Sequence, residues 1–249
     1  MKKISLLVLA LACGGLASAQ ELGSQWIKGI YKAPNPTATV IVGHGCAGLG
    51  THEQQWAKQI NGWGYNVVVL DSFGPRGYYQ GLCNSGARVP PFTRLGDVRE
   101  AVAKIKASDF HQGKIGYIGY SHGGAVAMHV ATADEPTGVN AVVAYYPNCK
   151  GNALLYKDKQ GVDGTKDFSN PVVPTVLMLG AKDEWTPAMY CLEFNKAGKY
   201  EVNIYESASH AFDFNLPYRS FAGHTLWYDA AADKDSREKT QQFFAKHLN

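Results

Sequence analysis

The chain alternates short apolar runs with longer amphipathic stretches. Runs rich in β-branched residues predict strands at residues 37–42, 66–70, 114–119, 140–146, 175–179 and 201–205. Most of these runs are continuously apolar, which is typical of strands covered on both faces. The stretches between and after them predict helices at residues 53–61, 94–107, 122–133, 188–197 and 236–247. A further edge strand is expected at residues 26–31.

This alternation predicts an α/β fold, in which one mostly parallel central sheet carries helices on both faces. Ligands of such sheets bind at the carboxyl ends of the strands, so the residues that follow each strand are the first candidates for chemistry. No repeat, low-complexity block or charge run divides the chain after residue 19. We therefore expect residues 20–249 to form a single domain.

The N-terminus has the pattern of an export signal. Two lysines precede an apolar run at residues 4–12, and small residues follow up to Ala19. This pattern predicts a signal peptide over residues 1–19 with cleavage after Ala19, and hence a secreted or periplasmic protein. The run is shorter than the roughly 20 residues that span a bilayer. A buried N-terminal helix and a lipid anchor through Cys13 are the less favoured alternatives.

The charge of the chain is close to neutral. Without the first 19 residues it loses two lysines and no acidic residue, so the net charge falls from +3 to +1. Binding of nucleic acid or of an anionic membrane would need a clustered basic surface, which this balance does not indicate. No later stretch is apolar and long enough for a transmembrane helix. We expect a small-molecule partner and a monomer or a weak homo-oligomer.

Four cysteines remain after residue 19, namely Cys46, Cys83, Cys149 and Cys191. An even number in an oxidising compartment favours two disulfides, for which three connectivities exist. Buried free thiols are the alternative. The chain contains neither a C-x-x-C pair nor an H-E-x-x-H motif, so no metal site is expected.

A glycine motif follows the first long strand. Residues 43–48 read G-H-G-C-A-G, and Asp71 ends the next strand, as in a dinucleotide-binding fingerprint. The helical pattern begins only near Glu53, however, so the phosphate would not meet a helix N-terminus. An exported protein is also separated from the cytoplasmic nicotinamide pool. A dinucleotide-binding oxidoreductase therefore remains a weak alternative.

A second motif points to nucleophilic catalysis. Residues 119–123 read G-Y-S-H-G between a predicted strand and a predicted helix, which is the context of a nucleophile elbow centred on Ser121. A serine hydroxyl needs a neighbouring imidazole to take its proton. In this architecture an acid and then a histidine follow on later loops. Asp183 and His210 stand directly after two predicted strands, so we expect a catalytic triad of Ser121, His210 and Asp183.

Acyl transfer also needs two backbone N–H groups facing the developing oxyanion. His122, the residue after the nucleophile, supplies one of them in this architecture. The turn at residues 44–46 is similar to the H-G-x turn of esterases, so the second donor is expected from Cys46, with Ala47 as the alternative. This chemistry requires no cofactor. His44 is expected to buttress the turn and not to act as a base.

Five blocks of the chain together resemble the dienelactone hydrolase family of α/β-hydrolases. They occur in family order at residues 44–48, 71–77, 119–124, 180–183 and 209–213. Two positions depart from the family, which is similar at the elbow but has a cysteine where Ser121 stands and a glutamate where Gly45 stands. The two changes are mutually consistent, because that glutamate takes part in activating the thiol. The resemblance implies an exported serine-dependent branch with general esterase activity.

The resemblance also implies residue roles outside the triad. Family members bind a substrate carboxylate with an arginine at the position of Arg76, where a bidentate clamp is possible. Bracing of the 74–77 loop by Arg76 is the equally weighted alternative, and the family's second arginine, after the catalytic histidine, is missing. The resemblance further suggests the pairings Cys46–Cys83 and Cys149–Cys191.

Aromatic residues near the predicted site complete the picture. Trp185 and Phe212 are expected to line the substrate pocket, with ordinary packing as the alternative. The leading hypothesis is a serine hydrolase that cleaves carboxylic esters of small molecules through an acyl-enzyme. A peptidase of the prolyl-oligopeptidase type shares the elbow but lacks its propeller domain here. A silent binding module would ordinarily have lost one triad residue.

Overall fold

The computed structural model describes residues 22–85, 88–158 and 160–249. The predicted signal peptide at residues 1–19 lies outside the described residues. Within them the strands are β1 (Ile27–Tyr31), β2 (Ala38–Gly43), β3 (Asn66–Leu70), β4 (Lys114–Tyr120), β5 (Ala141–Tyr145), β6 (Leu155–Lys157), β7 (Asp163–Thr165), β8 (Thr175–Gly180), β9 (Glu201–Tyr205), β10 (Arg219–Phe221) and β11 (His224–Leu226). The α-helices are α1 (Thr51–Gly62), α2 (Pro91–Lys106), α3 (His122–Ala131), α4 (Ala188–Glu193) and α5 (Ala230–Leu248).

Seven strands form the central sheet in the order β1-β3-β2-β4-β5-β8-β9. The edge strand β1 runs antiparallel to β3, and the other pairs are parallel. Each of the six strands predicted from the apolar runs is present with its ends within one residue of the prediction. The predicted α/β fold is therefore confirmed.

The continuous apolar runs are explained by helices on both faces of this sheet. Alternate residues of one strand enter different cores: Val40 and Val42 pack in the cluster that contains α1 and α5 side chains. Ile41 belongs to the opposite cluster, together with side chains of α2, α3 and α4. Because neither face of β2 meets water, both sets of positions are apolar apart from Thr39.

The predicted helix boundaries were less accurate than the strands. Helix α2 begins at Pro91 and not at residue 94, because a proline at the first helical position loses no hydrogen bond. Helix α5 begins at Ala230, six residues before the predicted start. Asp229 caps it by accepting the N–H groups of Ala231 and Ala232 at 3.1 and 3.0 Å. The first turns of α5 contain only small and charged residues without a large apolar side chain, so the pattern located only the later part of the helix.

Two disulfides lie at the carboxyl edge of the sheet, one between two loops and one between the loop after β5 and helix α4. They link Cys46 to Cys83 and Cys149 to Cys191, the pairs that the resemblance suggested. Two short antiparallel hairpins, β6–β7 and β10–β11, were not predicted. Across the described ranges, no helix combines the length and the apolar character that crossing a bilayer requires.

The cap of α5 can be tested separately from the site. We expect Asp229→Ala to lower the free energy of unfolding by about 1 kcal/mol, because two helix N–H groups lose their acceptor. Urea denaturation monitored by circular dichroism measures the change. Asp229→Asn is the matched control, since an asparagine oxygen can still accept these hydrogen bonds. An equal loss in both variants would show that capping is not the cause.

Candidate active site

Ser121 occupies the sharp turn between β4 and α3. Its backbone has φ 53° and ψ −110°, a conformation that side-chain-bearing residues rarely adopt. The turn is fixed by hydrogen bonds on both sides: the Ser121 N–H donates to Tyr145 O at 3.0 Å, and its carbonyl accepts the Ala125 N–H at 2.9 Å. A strained residue held this firmly is a typical feature of functional sites.

The two flanking glycines are required by close backbone contacts. A Cβ on Gly119 would lie 2.0 Å from Gly123 O. A Cβ on Gly123 would lie 2.4 Å from Gly43 O and 2.6 Å from His44 O. Any larger residue would therefore push the serine turn away from the end of β2.

The structure brings the three predicted catalytic residues together. His210 Nε2 lies 2.9 Å from Ser121 Oγ, and His210 Nδ1 lies 2.8 Å from Asp183 Oδ2. Both His210 and Asp183 are almost fully buried. Because Nδ1–H donates to the carboxylate, Nε2 is the nitrogen that can accept the serine proton.

Backbone groups orient the carboxylate of Asp183. Its Oδ1 accepts the N–H groups of Trp185 and Thr186 at 2.9 and 2.8 Å. Burial raises the pKa of Asp183, but the His210 charge and the hydrogen bonds from His210 and Thr186 outweigh burial and lower the pKa. The carboxylate is therefore ionised at neutral pH and can stabilise a positive charge on His210.

Thr186 is a site residue that the sequence interpretation missed. Its Oγ1 lies 2.8 Å from Asp183 Oδ2, 3.0 Å from His210 Nδ1 and 3.0 Å from Tyr146 O. The hydroxyl thus links the Asp183–His210 pair to the backbone at Tyr146. Its position three residues after Asp183 was the only available signal.

His44 holds the turn at residues 44–46 through both nitrogens of its ring. Its Nδ1 donates to Gly45 O at 2.7 Å, and its Nε2 accepts the Ser72 N–H at 3.0 Å. Burial and the charge of Arg94 hold the pKa of His44 well below its usual range. A neutral imidazole is the form that these two bonds require, so His44 positions the turn and has no free basic nitrogen.

Arg94 connects this turn to the serine turn. Its Nη2 donates to His44 O at 2.9 Å and its Nη1 to His122 Nδ1 at 2.8 Å, while the side chain is only 1% exposed. One buried guanidinium therefore spans both segments that carry the predicted oxyanion donors. The sequence interpretation missed Arg94, because burial of a charged side chain at a helix start has no local signature.

The segments that carry the predicted oxyanion donors lie on either side of Ser121. A Cβ on Gly45 would lie 3.6 Å from Ser121 Cβ, so the turn that contains Cys46 lies beside the nucleophile. His122 is the first residue of α3, where backbone N–H groups point out of the helix end. The glycine motif at residues 43–48 thus packs against the serine turn, which gives its glycines a role unrelated to dinucleotide binding.

Two cavities of the described residues meet at Ser121, and Cys46 and Trp185 also line both. The first, about 360 Å³, we call the amide cavity because its polar side chains include Asn84, Ser85, Asn148 and Asn152. The second, about 370 Å³, we call the apolar cavity because its walls include Leu49, Phe214, Leu216, Phe221 and Leu226. The unpredicted hairpin β10–β11 supplies Arg219 and two of these apolar residues.

Of the three predicted substrate-binding residues, Trp185 alone is placed along a cavity. Arg76 lines neither cavity, because its guanidinium pairs with both Asp97 oxygens at 2.8 Å and lies 4.1 Å over the Trp26 ring. These contacts match the bracing alternative. Phe212 is fully buried and packs against the rings of Tyr145 and Tyr205 instead of lining a wall.

A buried ion pair lies beneath the apolar cavity. Asp213 Oδ2 lies 2.8 Å from His52 Nε2 and accepts the Trp56 indole N–H at 2.7 Å. Its Oδ1 accepts the hydroxyl of Tyr146 at 2.7 Å, and the Tyr146 ring packs on His210 with centroids 4.7 Å apart. The pair therefore fixes the aromatic residue that supports the catalytic imidazole.

Burial and pairing act in opposite directions on this pair. Burial lowers the pKa of His52, but the charge and hydrogen bond of Asp213 outweigh burial and raise it to about 10. Burial raises the pKa of Asp213, but the His52 charge and hydrogen bond lower it to about 2. Both groups are therefore charged at neutral pH.

The pair predicts a pH dependence of stability. The folded protein keeps the His52 proton up to about pH 10, whereas the unfolded chain loses it near 6.5. Stability must therefore fall as the pH rises between these values. We expect the free energy of unfolding to fall by on the order of 4 kcal/mol between pH 6.5 and 10. Urea titrations across this range measure it.

His52→Gln removes the titrating group and should flatten this pH profile. His224→Gln, which changes a partly exposed histidine outside the pair, is the control and should keep the fall. A profile in His52→Gln as steep as in the parent protein would contradict the assignment.

Comparisons with known proteins agree with the fold. The dienelactone hydrolase family profile matches residues 28–248. The fold is similar to that of a putative dienelactone hydrolase from Klebsiella pneumoniae, with TM-score 0.68 and 20% identity over 93% of this chain and 98% of that one. A dienelactone hydrolase from Anabaena variabilis has TM-score 0.66 and 18% identity over 94% and 98% of the two chains. An esterase from Pyrococcus furiosus has TM-score 0.62 and 18% identity over 86% and 85%.

A search of curated proteins found no match. The structural neighbours share the α/β-hydrolase fold, and at this level of identity they establish the fold alone. Among the described residues, no group of His, Cys, Asp and Glu side chains is arranged to hold a metal ion. Because the family profile covers nearly the whole described chain, the chain belongs to the dienelactone hydrolase family.

Proposed function

We propose that this protein is a serine hydrolase that cleaves carboxylic esters through an acyl-enzyme. The observation that carries the proposal is the hydrogen-bonded chain Ser121–His210–Asp183, with contacts of 2.9 and 2.8 Å. Family membership supports hydrolysis. The similar fold of the Pyrococcus furiosus protein, an esterase, supports ester substrates.

The reaction begins at Ser121. Its Oγ attacks the ester carbonyl carbon while its proton moves to His210 Nε2, and Asp183 stabilises the imidazolium that forms. The carbonyl oxygen becomes an oxyanion that the N–H groups of Cys46 and His122 hold. Collapse of the tetrahedral intermediate breaks the bond to the alcohol oxygen, which takes the proton from Nε2. A water molecule then attacks the acyl carbon while one of its protons moves to His210 Nε2. Collapse of the second tetrahedral intermediate releases the acid, and Ser121 Oγ takes the proton back from Nε2.

We further propose that the protein acts outside the cytoplasm. The predicted signal peptide at residues 1–19 and the two disulfides support export, because such bonds persist in oxidising compartments. The Cys46–Cys83 bridge also lines the first cavity at Ser121.

The nucleophile can be tested directly. A fluorophosphonate probe should label the folded protein at Ser121, as located by mass spectrometry of the modified peptide. Ser121→Ala should lose the label and lower kcat for 4-nitrophenyl acetate by about 10⁴-fold. Ser169→Ala, on the loop before β8, is the control and should keep both. Unlabelled Ser121 in active protein, or peptide hydrolysis faster than ester hydrolysis, would overturn the proposal.

Substitution of Arg94 tests the positioning of the oxyanion donors. The guanidinium holds both segments with oxyanion donors, and such donors act mainly on the transition state. We therefore expect Arg94→Met to lower kcat by about 10- to 100-fold with KM changed less than about threefold. Arg94→Lys should restore part of the loss, because an ammonium can reach only one of the two acceptors.

Steady-state kinetics on 4-nitrophenyl acetate, together with a thermal melt of each variant, separate catalysis from folding. Arg99→Met, on the exposed side of the same helix, is the matched control. An increase in KM without a loss of kcat would show that Arg94 acts in substrate binding and not in positioning the donors.

A further inference from the structure

The two cavities at Ser121 differ in chemistry, so the two halves of an ester cannot occupy them equally well. The amide cavity has no Lys, Arg, Asp or Glu among its described lining residues. Asn84, Asn148 and Asn152 instead offer amide groups that both donate and accept hydrogen bonds. Asn148 Oδ1 accepts the Lys150 N–H at 3.0 Å, which leaves the Asn148 NH₂ group as the donor to a ligand. An uncharged group with hydroxyls fits this cavity.

The apolar cavity has walls of leucine and aromatic carbon. Its charged groups already have partners in the protein: His52 pairs with Asp213, and Glu53 accepts the Gly50 N–H at 2.9 Å. The Arg219 guanidinium lies over the Phe214 ring, 5.6 Å from its centroid. An aryl or branched alkyl group therefore fits this cavity better than a polar one.

The position of His210 decides which half of the ester enters which cavity. His210 lines the apolar cavity but not the amide cavity, whereas His122 lines only the amide cavity. The leaving oxygen must lie within hydrogen-bonding reach of His210 Nε2, because it takes its proton there as the carbon–oxygen bond breaks. The alcohol consequently extends into the apolar cavity. The acyl substituent points away from the imidazole, past His122, into the amide cavity.

We propose that the preferred substrates are esters of an uncharged, hydroxyl-bearing acid with an apolar alcohol, the acid bound among the asparagines and the alcohol against Leu216 and Phe214. This inference rests on the ester hydrolysis proposed above. Water is the second reactant. The bond between the acyl carbon and the alcohol oxygen breaks, the acyl carbon gains a hydroxyl from water, and the alcohol oxygen gains the remaining proton.

A mirrored pair of esters tests the assignment on the unmodified protein. Benzyl lactate carries the hydroxyl on the acyl side, and 2-hydroxypropyl phenylacetate carries it on the alcohol side. Each kcat/KM is divided by the rate constant of the same ester with hydroxide, which removes intrinsic reactivity. We expect benzyl lactate to be favoured by about tenfold or more. Equal values or a reversed preference would overturn the inference.

Two variants assign each preference to its cavity. Asn148→Leu should lower kcat/KM for benzyl lactate by about tenfold and leave benzyl acetate, which lacks the hydroxyl, within about twofold. Leu216→Asn should lower kcat/KM for both benzyl esters and leave ethyl lactate within about twofold. The opposite pattern would place the acyl group in the apolar cavity.

Hydrolysis of 4-nitrophenyl acetate separates this inference from the function on which it rests. If Ser121-dependent hydrolysis of this small ester is absent, both proposals fail. If it is present and the mirrored pair shows no preference for benzyl lactate, the ester hydrolase stands and only the assignment of the cavities is wrong.

Discussion

Gly123, in the first turn of α3, packs directly on the carbonyl groups that end β2. A methyl group at this position would lie 2.4 Å from Gly43 O, so the contact exists only between bare backbones. This approach brings the strained Ser121 turn beside the turn that contains Cys46. Arg94 then ties the two together from below through His44 O and the His122 ring. Every proposed step of catalysis depends on the spacing that these contacts set.

Buried charge serves positioning at this site. Arg94 is 1% exposed, and its guanidinium donates to a carbonyl group and a ring nitrogen of the active-site turns. The pair of His52 and Asp213 holds the hydroxyl of Tyr146, whose ring supports His210. Breaking a buried pair leaves an uncompensated charge, which is strongly unfavourable. Such groups therefore restrict the surrounding side chains to one arrangement.

Local patterns were sufficient where the governing contacts are local. The apolar runs located six strands of the central sheet, and the G-x-S-x-G motif with the loops after β8 and β9 located Ser121, Asp183 and His210. The pairing of His52 with Asp213 joins residues 161 positions apart, and no periodicity reports such a contact. Arg76 and Phe212 occupy family positions near the site, but Asp97 and the aromatic core hold them elsewhere. Hairpin β10–β11 was missed because its strands are only three residues long.

The two disulfides have a consequence for how the protein distributes its stability. They join residues separated by 37 and 42 positions, and each such closure is worth about 4 kcal/mol in a chain-entropy description. Helices bury both faces of the sheet, but the edge that receives substrate must stay open and cannot rely on burial. The two disulfides instead hold the loops of this edge covalently. Their sequences can therefore vary, and with them the range of accepted substrates, at little cost to the packing of the sheet.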